Sequence, residues 1–360
     1  MALATDLSER LGLRLPLLLA PMAGGPSTVD LVAAGCEAGV LGGFGFAYAQ
    51  PDAMHRDCAA VRARSKGPIN INLFTSPQPD AVPEDAQQPA LDALAALSQD
   101  FGLPAPQPAK PPYAPDLEAQ LAAVESIRPE VFSFHLGDLP AARIRHIQSL
   151  GVRVAGSATC VAEARRLEVL SVDFIIAQGG EAGGHRGSYL RDPYQSMTGT
   201  LALTRLLVCA VKVPVVAAGG IMDGAGVAAV LALGAQAAQL GTAFLACPES
   251  GASIPHKAAL LAAEEDTTRV TEKFSGKPAR GLDNRFMRDM AKAPQLAFPA
   301  QNVITGAVRA ASAKAGKPDA VAMWAGQAAP LTRAMPAAEL IARIEAETLD
   351  ALDRLASLRR

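Results

Sequence analysis

The chain lacks a charge excess of either sign: 33 Lys and Arg stand against 35 Asp and Glu, leaving a formal net charge of −2. No basic face is expected, which argues against nucleic acid and anionic membrane as partners. Cysteine is sparse and unpaired: five residues lie at Cys36, Cys58, Cys160, Cys209 and Cys247, none in a CxxC pair. That excludes a disulfide framework and a zinc knuckle, and points to a reducing cytoplasm with most cysteines buried as small apolar groups. The opening MALATDLSERLG carries acids and no apolar core, unlike a signal peptide. The run LPLLLAPMAGG is too short to span a bilayer and is bracketed by Pro16 and Pro21, so it reads as a buried strand. No HxH or HExxH pattern is present, and Glu181 near His185 is insufficient for a metal site; no metal is expected. No serine sits in a GxSxG elbow, and GFGFA at 43–47 falls short of a dinucleotide fingerprint. Aromatics are scarce, at 4%.

What the chain does have is rhythm. Short apolar runs alternate with Ala-rich helical stretches from residue 15 to about residue 245. Eight strands are predicted: 17–20, 40–43, 69–73, 131–135, 152–156, 174–177, 213–217 and 237–240. Helical patterns separate most of them, among them 28–38, 140–150, 159–167 and 223–233. Apolar strands of this kind suit a parallel sheet covered on both sides. Eight βα repeats favour a closed (β/α)₈ TIM barrel, with an open doubly wound sheet as the alternative.

Two segments break the rhythm. Residues 76–115 are rich in proline and read as an excursion after the third strand. Residues 265–335 lack βα alternation and read as a small lobe or lid over the barrel mouth. The expected division is thus a barrel over 1–264, including the excursion, then the lobe, then an amphipathic helix over 336–360 that packs back on the barrel. That helix opens at Pro336 and repeats Leu340, Ile341, Ile344, Leu349, Leu352 and Leu355.

Barrel enzymes keep their chemistry at the strand C-termini, and the polar and glycine clusters fall there. Strand one runs into Met22-Ala23-Gly24-Gly25, and strand three ends in Asn70-Ile71-Asn72. Strand seven ends in Ala218-Gly219-Gly220, and strand eight in Gln239-Leu240-Gly241-Thr242. Glycines at the last two places leave backbone N–H groups open to a phosphate, and a helix starting near Asp223 would add positive dipole. Tight turning is the plainer reading of any one of these glycines; two clusters in barrel order favour the phosphate. Strand six leads into GGEAGGHRG, with five glycines in nine residues and one imidazole, His185. We expect this loop to be flexible enough to press on a flat ligand, with His185 as the proton-transfer group. His55 and His146 read as surface residues, His256 as an exposed residue near a helix start, and His135 as either a pocket or a core residue.

These stretches resemble a known family. APMAGGPST at 20–28, INLF at 71–74, AQGGEAGGHRG at 177–187, VVAAGGI at 215–221 and AAQLGTAFLACPES at 237–250 are similar to the nitronate monooxygenases. FSGKPARGL at 274–282 and WAGQ at 324–327 extend the similarity over nearly the whole chain, and AGGHRG resembles the class that oxidises propionate 3-nitronate. The resemblance implies noncovalent FMN, with a nitronate and O₂ as small-molecule substrates and a carbonyl compound plus nitrite as products. It also implies roles: Met22 against the flavin through its backbone, and Asn72 and Gln178 hydrogen-bonding its ring or ribityl chain. Gly183 would pack on the isoalloxazine, Gly220 with Gln239, Leu240, Gly241 and Thr242 would hold the phosphate, and His185 would be catalytic. A homodimer is one option for assembly. LAFPAQNVIT at 296–305 departs from the family, which commonly has tyrosines there; Phe298 keeps a ring without the hydroxyl. The nearest rival is an NAD(P)H-dependent enoyl-thioester or quinone reductase on the same FMN barrel. A non-catalytic flavin- or partner-binding barrel is more distant, and fold alone separates none of these.

Overall fold

The computed structural model describes residues 3–77 and 81–358; residues 78–80 of the proline-rich excursion and the last two of the expected C-terminal helix lie outside them. Eleven strands follow in chain order among the described residues. They are β1 (Leu17–Leu19), β2 (Gly42–Gly45), β3 (Ile69–Phe74), β4 (Val131–His135), β5 (Arg153–Ala158), β6 (Phe174–Gln178), β7 (Gly184–His185), β8 (Val215–Ala218), β9 (Ala237–Leu240), β10 (Thr268–Thr271) and β11 (Ala279–Leu282). Eight of them form one parallel sheet in the order β1-β9-β8-β6-β5-β4-β3-β2. The ends of that order meet at a parallel bridge between Leu18 and Leu41, with Leu19 N–H donating to the Leu41 carbonyl at 2.9 Å. The fold is therefore a (β/α)₈ barrel, as the alternation predicts, and not an open sheet. Every expected strand is present; β2 and β8 each begin two residues later than the apolar pattern suggests.

Strand parity decides what faces the barrel axis. Ile69, Ile71 and Leu73 of β3 pack outward with Met54, Cys58, Leu121 and Val124 of the covering helices. The intervening Asn70 and Asn72 are buried as well, so β3 alternates apolar and polar even though neither face meets water. The inward set from the other strands begins with an apolar layer of Leu18, Val131, Ala155, Phe174, Val216 and Ala237. Leu7, Leu11 and Leu13 close that cluster from the N-terminal segment. One step further along the strands, the inward residues turn polar: Asn72, Ser133, Ser157, Gln178 and Gln239. The barrel thus has a greasy floor and a polar mouth.

The excursion and the segment after residue 264 share one core. Leu91, Leu94 and Leu97, from the helix Glu84–Asp100, pack with Phe274, Phe286, Met290 and Val308. Gln87 clasps the proline-rich return, accepting from Ala109 N–H at 2.8 Å and donating to its carbonyl at 3.0 Å. A second sheet, β10-β11-β7, joins this lobe to the loop after β6. The segment carrying His185 is a paired strand, with Ala279 opposite His185 and Arg280 opposite Gly184. The glycine content predicts flexibility, but backbone pairing removes it.

The C-terminal helix Ala337–Ala356 lies against the helix Gly224–Ala232 and buries Leu340, Ile341, Ile344, Thr348 and Ala351. The expected stripe differs at its end: Leu352 and Leu355 are exposed, because the partner helix begins at Gly224, beside Glu347 and Thr348, and the C-terminal helix runs on past it. At the crossing, Gly224 touches the backbone of Thr348 and Glu347 so closely that a Cβ has no room. Among the described residues no helix is long and apolar enough to cross a membrane. Gly224→Ala should destabilise the fold by about 1–3 kcal/mol through overpacking, read as a lower urea midpoint at unchanged slope; an unchanged midpoint would refute this packing account.

Candidate active site

The polar mouth opens into a cavity of about 380 Å³ lined by residues from the barrel loops and the lobe. Met22, Asn72, Gln178, Gly183, His185, Gly220, Gln239, Gly241 and Thr242, all anticipated from sequence, line it together. Leu240 does not. Its side chain points outward into the core against the surrounding helices, because it stands one residue out of phase with the inward Gln239.

Strand order fixes the polarity of the site. β8 and β9 are neighbours, whereas β3 and β4 lie across the barrel from them. The glycine turns after β8 and β9 therefore face Phe74 and His135 across the mouth. Gly219 and Gly220 have φ of +118° and +70°, a conformation L side chains rarely adopt, so these turns need glycine. Among the described residues, no acceptor within the chain takes the N–H groups of Gly220, Ile221, Gly241 or Thr242. The helix that follows β8 behaves otherwise. Asp223 accepts from Gly226 N–H at 2.9 Å and Glu347 from Gly224 N–H at 3.1 Å, so that N-terminus is capped by the protein's own carboxylates. The open amides lie before this helix, so its share in holding an anion is limited to its dipole.

Several anticipated contacts are already in use. Gln178 donates through Nε2 to the His185 carbonyl at 2.8 Å and accepts through Oε1 from Gly187 N–H at 2.7 Å. It is built into the loop before any ligand arrives. Met22 N–H donates to Ser27 Oγ at 2.9 Å. Gly183 lacks a Cβ for the lobe's sake, since one would stand 2.6 Å from the Ala325 carbonyl carbon. Asn72 donates to Ser133 Oγ at 2.8 Å.

His185 sits within an aromatic ring of neighbours, its centroid 5.5 Å from Phe74, 5.8 Å from Phe298 and 5.7 Å from Trp324. Burial, with the added charges of His135, Lys277 and Arg309, pulls its pKa down to about 3. The imidazole is neutral at physiological pH. Its Nε2 lies 2.9 Å from Ser275 Oγ, and Ser275 Oγ donates to the Lys277 carbonyl at 3.2 Å. A serine hydrogen directed at that carbonyl assigns the imidazole hydrogen to Nε2 and leaves Nδ1 as the basic nitrogen, an assignment from hydrogen-bond partners. His135 lines the cavity too, and its Nε2 donates to the His185 carbonyl at 3.1 Å; burial lowers its pKa to about 4.

Other lining residues escaped the sequence reading. His256, expected to be exposed, is buried against the cavity with its pKa lowered by burial to about 4, because the segment before its helix folds inward. Tyr48 and Arg309 also line it with no motif to mark them, and Trp324 joins them from the WAGQ stretch, where no role was expected of it. Gln239 Oε1, Ser253 Oγ, His256 Nε2 and Arg309 Nε are buried without a hydrogen-bond partner. Orphaned polar atoms around a cavity are groups waiting for a ligand.

A family model described as nitronate monooxygenase matches residues 7–347. A nitronate monooxygenase of Paraburkholderia phytofirmans is 41% identical over 350 residues, covering 96% of this chain and 95% of the relative. A nitronate monooxygenase of Pseudomonas aeruginosa is 40% identical, covering 94% of this chain and 97% of the relative. Among solved structures, nitroalkane oxidase from Streptomyces ansochromogenes superposes with a TM-score of 0.90 at 39% identity, covering 97% of this chain and 99% of that one. With family match, sequence identity and backbone in agreement, the chain is an oxidoreductase that belongs to the nitronate monooxygenase family.

Proposed function

We propose that the chain is an FMN-dependent monooxygenase that converts alkyl nitronates, propionate 3-nitronate in particular, with O₂ into a carbonyl compound and nitrite. One observation carries the reading: open backbone amides after β8 and β9 face, across a single cavity, a neutral histidine held among aromatic rings. The residues present fit a flavin. The amides of Gly220, Ile221, Gly241 and Thr242 suit a terminal phosphate, and the orphaned Gln239 Oε1 is an acceptor buried at the inner wall. Bound there, FMN would supply the electron acceptor for nitronate oxidation.

The protein's share is position and proton control. Gln178 and His135 fix the His185 backbone from the barrel side, and β11 fixes it from the lobe side. Nδ1 then takes the α-proton of a neutral nitroalkane, while Ser275 holds the ring through Nε2. For a nitronate already formed, that step is absent and His185 serves only as a wall of the pocket. Phe74, Phe298 and Trp324 exclude water around it.

Purified protein should be yellow, and should consume O₂ and release nitrite from propionate 3-nitronate without NADH; colourless protein that FMN cannot reconstitute would end the proposal. Rapid bleaching by NADH under anaerobic conditions would favour the reductase reading instead. His185→Asn should keep its flavin and lose roughly 10²–10⁴-fold in kcat on neutral nitroalkane, with a smaller loss on preformed nitronate. Because the imidazole pKa is lowered to about 3, the neutral base persists across the working range. Turnover of preformed nitronate should therefore show no ionisation of His185 between pH 5.5 and 8. A bell centred near the ordinary histidine pKa, and abolished in His185→Asn, would contradict this.

A further inference from the structure

Arg309 is the one formally charged side chain lining the cavity among the described residues, and no Asp or Glu lines it. It stands on the lobe helix Gly306–Lys314. Its Nη2 donates to Asn302 twice, to the carbonyl at 2.7 Å and to Oδ1 at 2.9 Å. Its Nε–H is buried with no acceptor. Tyr48, from the loop after β2, is the sole acidic group acting on the guanidinium, and burial outweighs it, lowering the Arg309 pKa from its ordinary value. The Tyr48 ring meets the edge of Phe74 at 5.9 Å, and Phe74 in turn meets His185 at 5.5 Å. Arg309 and His185 thus face one space, and the guanidinium charge helps keep the imidazole unprotonated.

A desolvated cation left without a counter-charge costs the fold stability, whereas the same cation paired with a ligand anion is among the stronger contacts a site can make. Asn302 holds one side of the guanidinium plane, so the remaining N–H groups are presented in a fixed direction. We propose that Arg309, assisted by the Tyr48 hydroxyl, is the subsite for a second anionic group on the substrate, a carboxylate borne at the end remote from the nitronate carbon. This rests on the nitronate-oxidising reading and narrows it: the chain selects carboxylated nitronates over simple alkyl nitronates. It also bears on Phe298, where the phenol expected in the family is missing. Tyr48 brings a phenol to the same cavity from the barrel side.

The test compares flavin-loaded wild type, Arg309→Met and Arg309→Lys on the preformed nitronates of 3-nitropropionate and 1-nitropropane. Arg309→Met should raise KM for the carboxylated nitronate roughly 10- to 100-fold, the range for a hydrogen bond to a charged group, and change propyl nitronate less than about threefold on the same basis. Arg309→Lys should recover part of the loss. Succinate, whose second carboxylate mimics the nitronate, should raise the melting temperature of wild type and not of Arg309→Met, whereas butyrate should do so in neither. Equal losses on both nitronates, or loss of flavin from Arg309→Met, would overturn the subsite. If wild type oxidises propyl nitronate without discriminating by Arg309, the subsite fails and the oxidase reading stands. If wild type oxidises no nitronate, that reading fails, and the succinate shift alone decides whether Arg309 is an anion site.

Discussion

The arrangement hangs on one carbonyl. His185 O accepts from Gln178 Nε2 and His135 Nε2, both projecting from barrel strands, while the residue's main chain pairs with β11 of the lobe. A glycine-rich segment between two bodies would otherwise sample many conformations, each at little cost. Three independent attachments remove that freedom and leave the imidazole at a fixed height above the mouth. The neighbouring Arg186 adds a fourth tie: its buried guanidinium donates to the carbonyls of Gln178 and Ser196, stitching the loop to its own start. The histidine is therefore preorganised by main-chain contacts and by Ser275 on Nε2, which leaves Nδ1 without a partner among the described residues.

That placement sets the electrostatics. An imidazole set among Phe74, Phe298 and Trp324 is half-buried, and every nearby group that carries charge adds to the cost of protonating it. The result is a base that stays neutral and a cavity whose net bias is positive. A neutral imidazole beside a guanidinium does not repel an anion, whereas an imidazolium would compete with Arg309 for it. Burial, usually an expense for a histidine, would on the proposed reading keep the two roles apart.

Much of this was legible in the chain, for physical reasons. Parallel strands buried on both faces leave an apolar signature whose repeat count yields the barrel directly, and the glycine turns after β8 and β9 stand where barrels bind phosphate. Residues within those motifs could be placed because parity is strict. The same strictness excludes the Leu240 side chain, for a residue next to an inward glutamine must point outward. What the sequence conceals is long-range pairing. Nothing around Gly184 announces a strand, since its partner, Arg280, lies nearly a hundred residues on. His256 reads as exposed because it follows Pro255 near a helix start, and only the fold turns it inward.

The lobe explains why Arg309 was the hardest residue to foresee. It sits in an Ala-rich helix, where a lone arginine normally faces solvent and contributes solubility. What turns it inward is the neighbouring core: Val308 packs beside Phe274 and Leu94, and Ser312 accepts from Ala320 N–H at 3.0 Å, which rotates position 309 towards the barrel. Leu94 comes from the proline-rich excursion. A segment that looks like spacer in the sequence thus helps determine the direction of a charge in the cavity. If Arg309 is the anion subsite proposed above, variation in the excursion would alter which substrates the barrel accepts without touching a residue at the strand ends, as barrel scaffolds with divergent lobes allow.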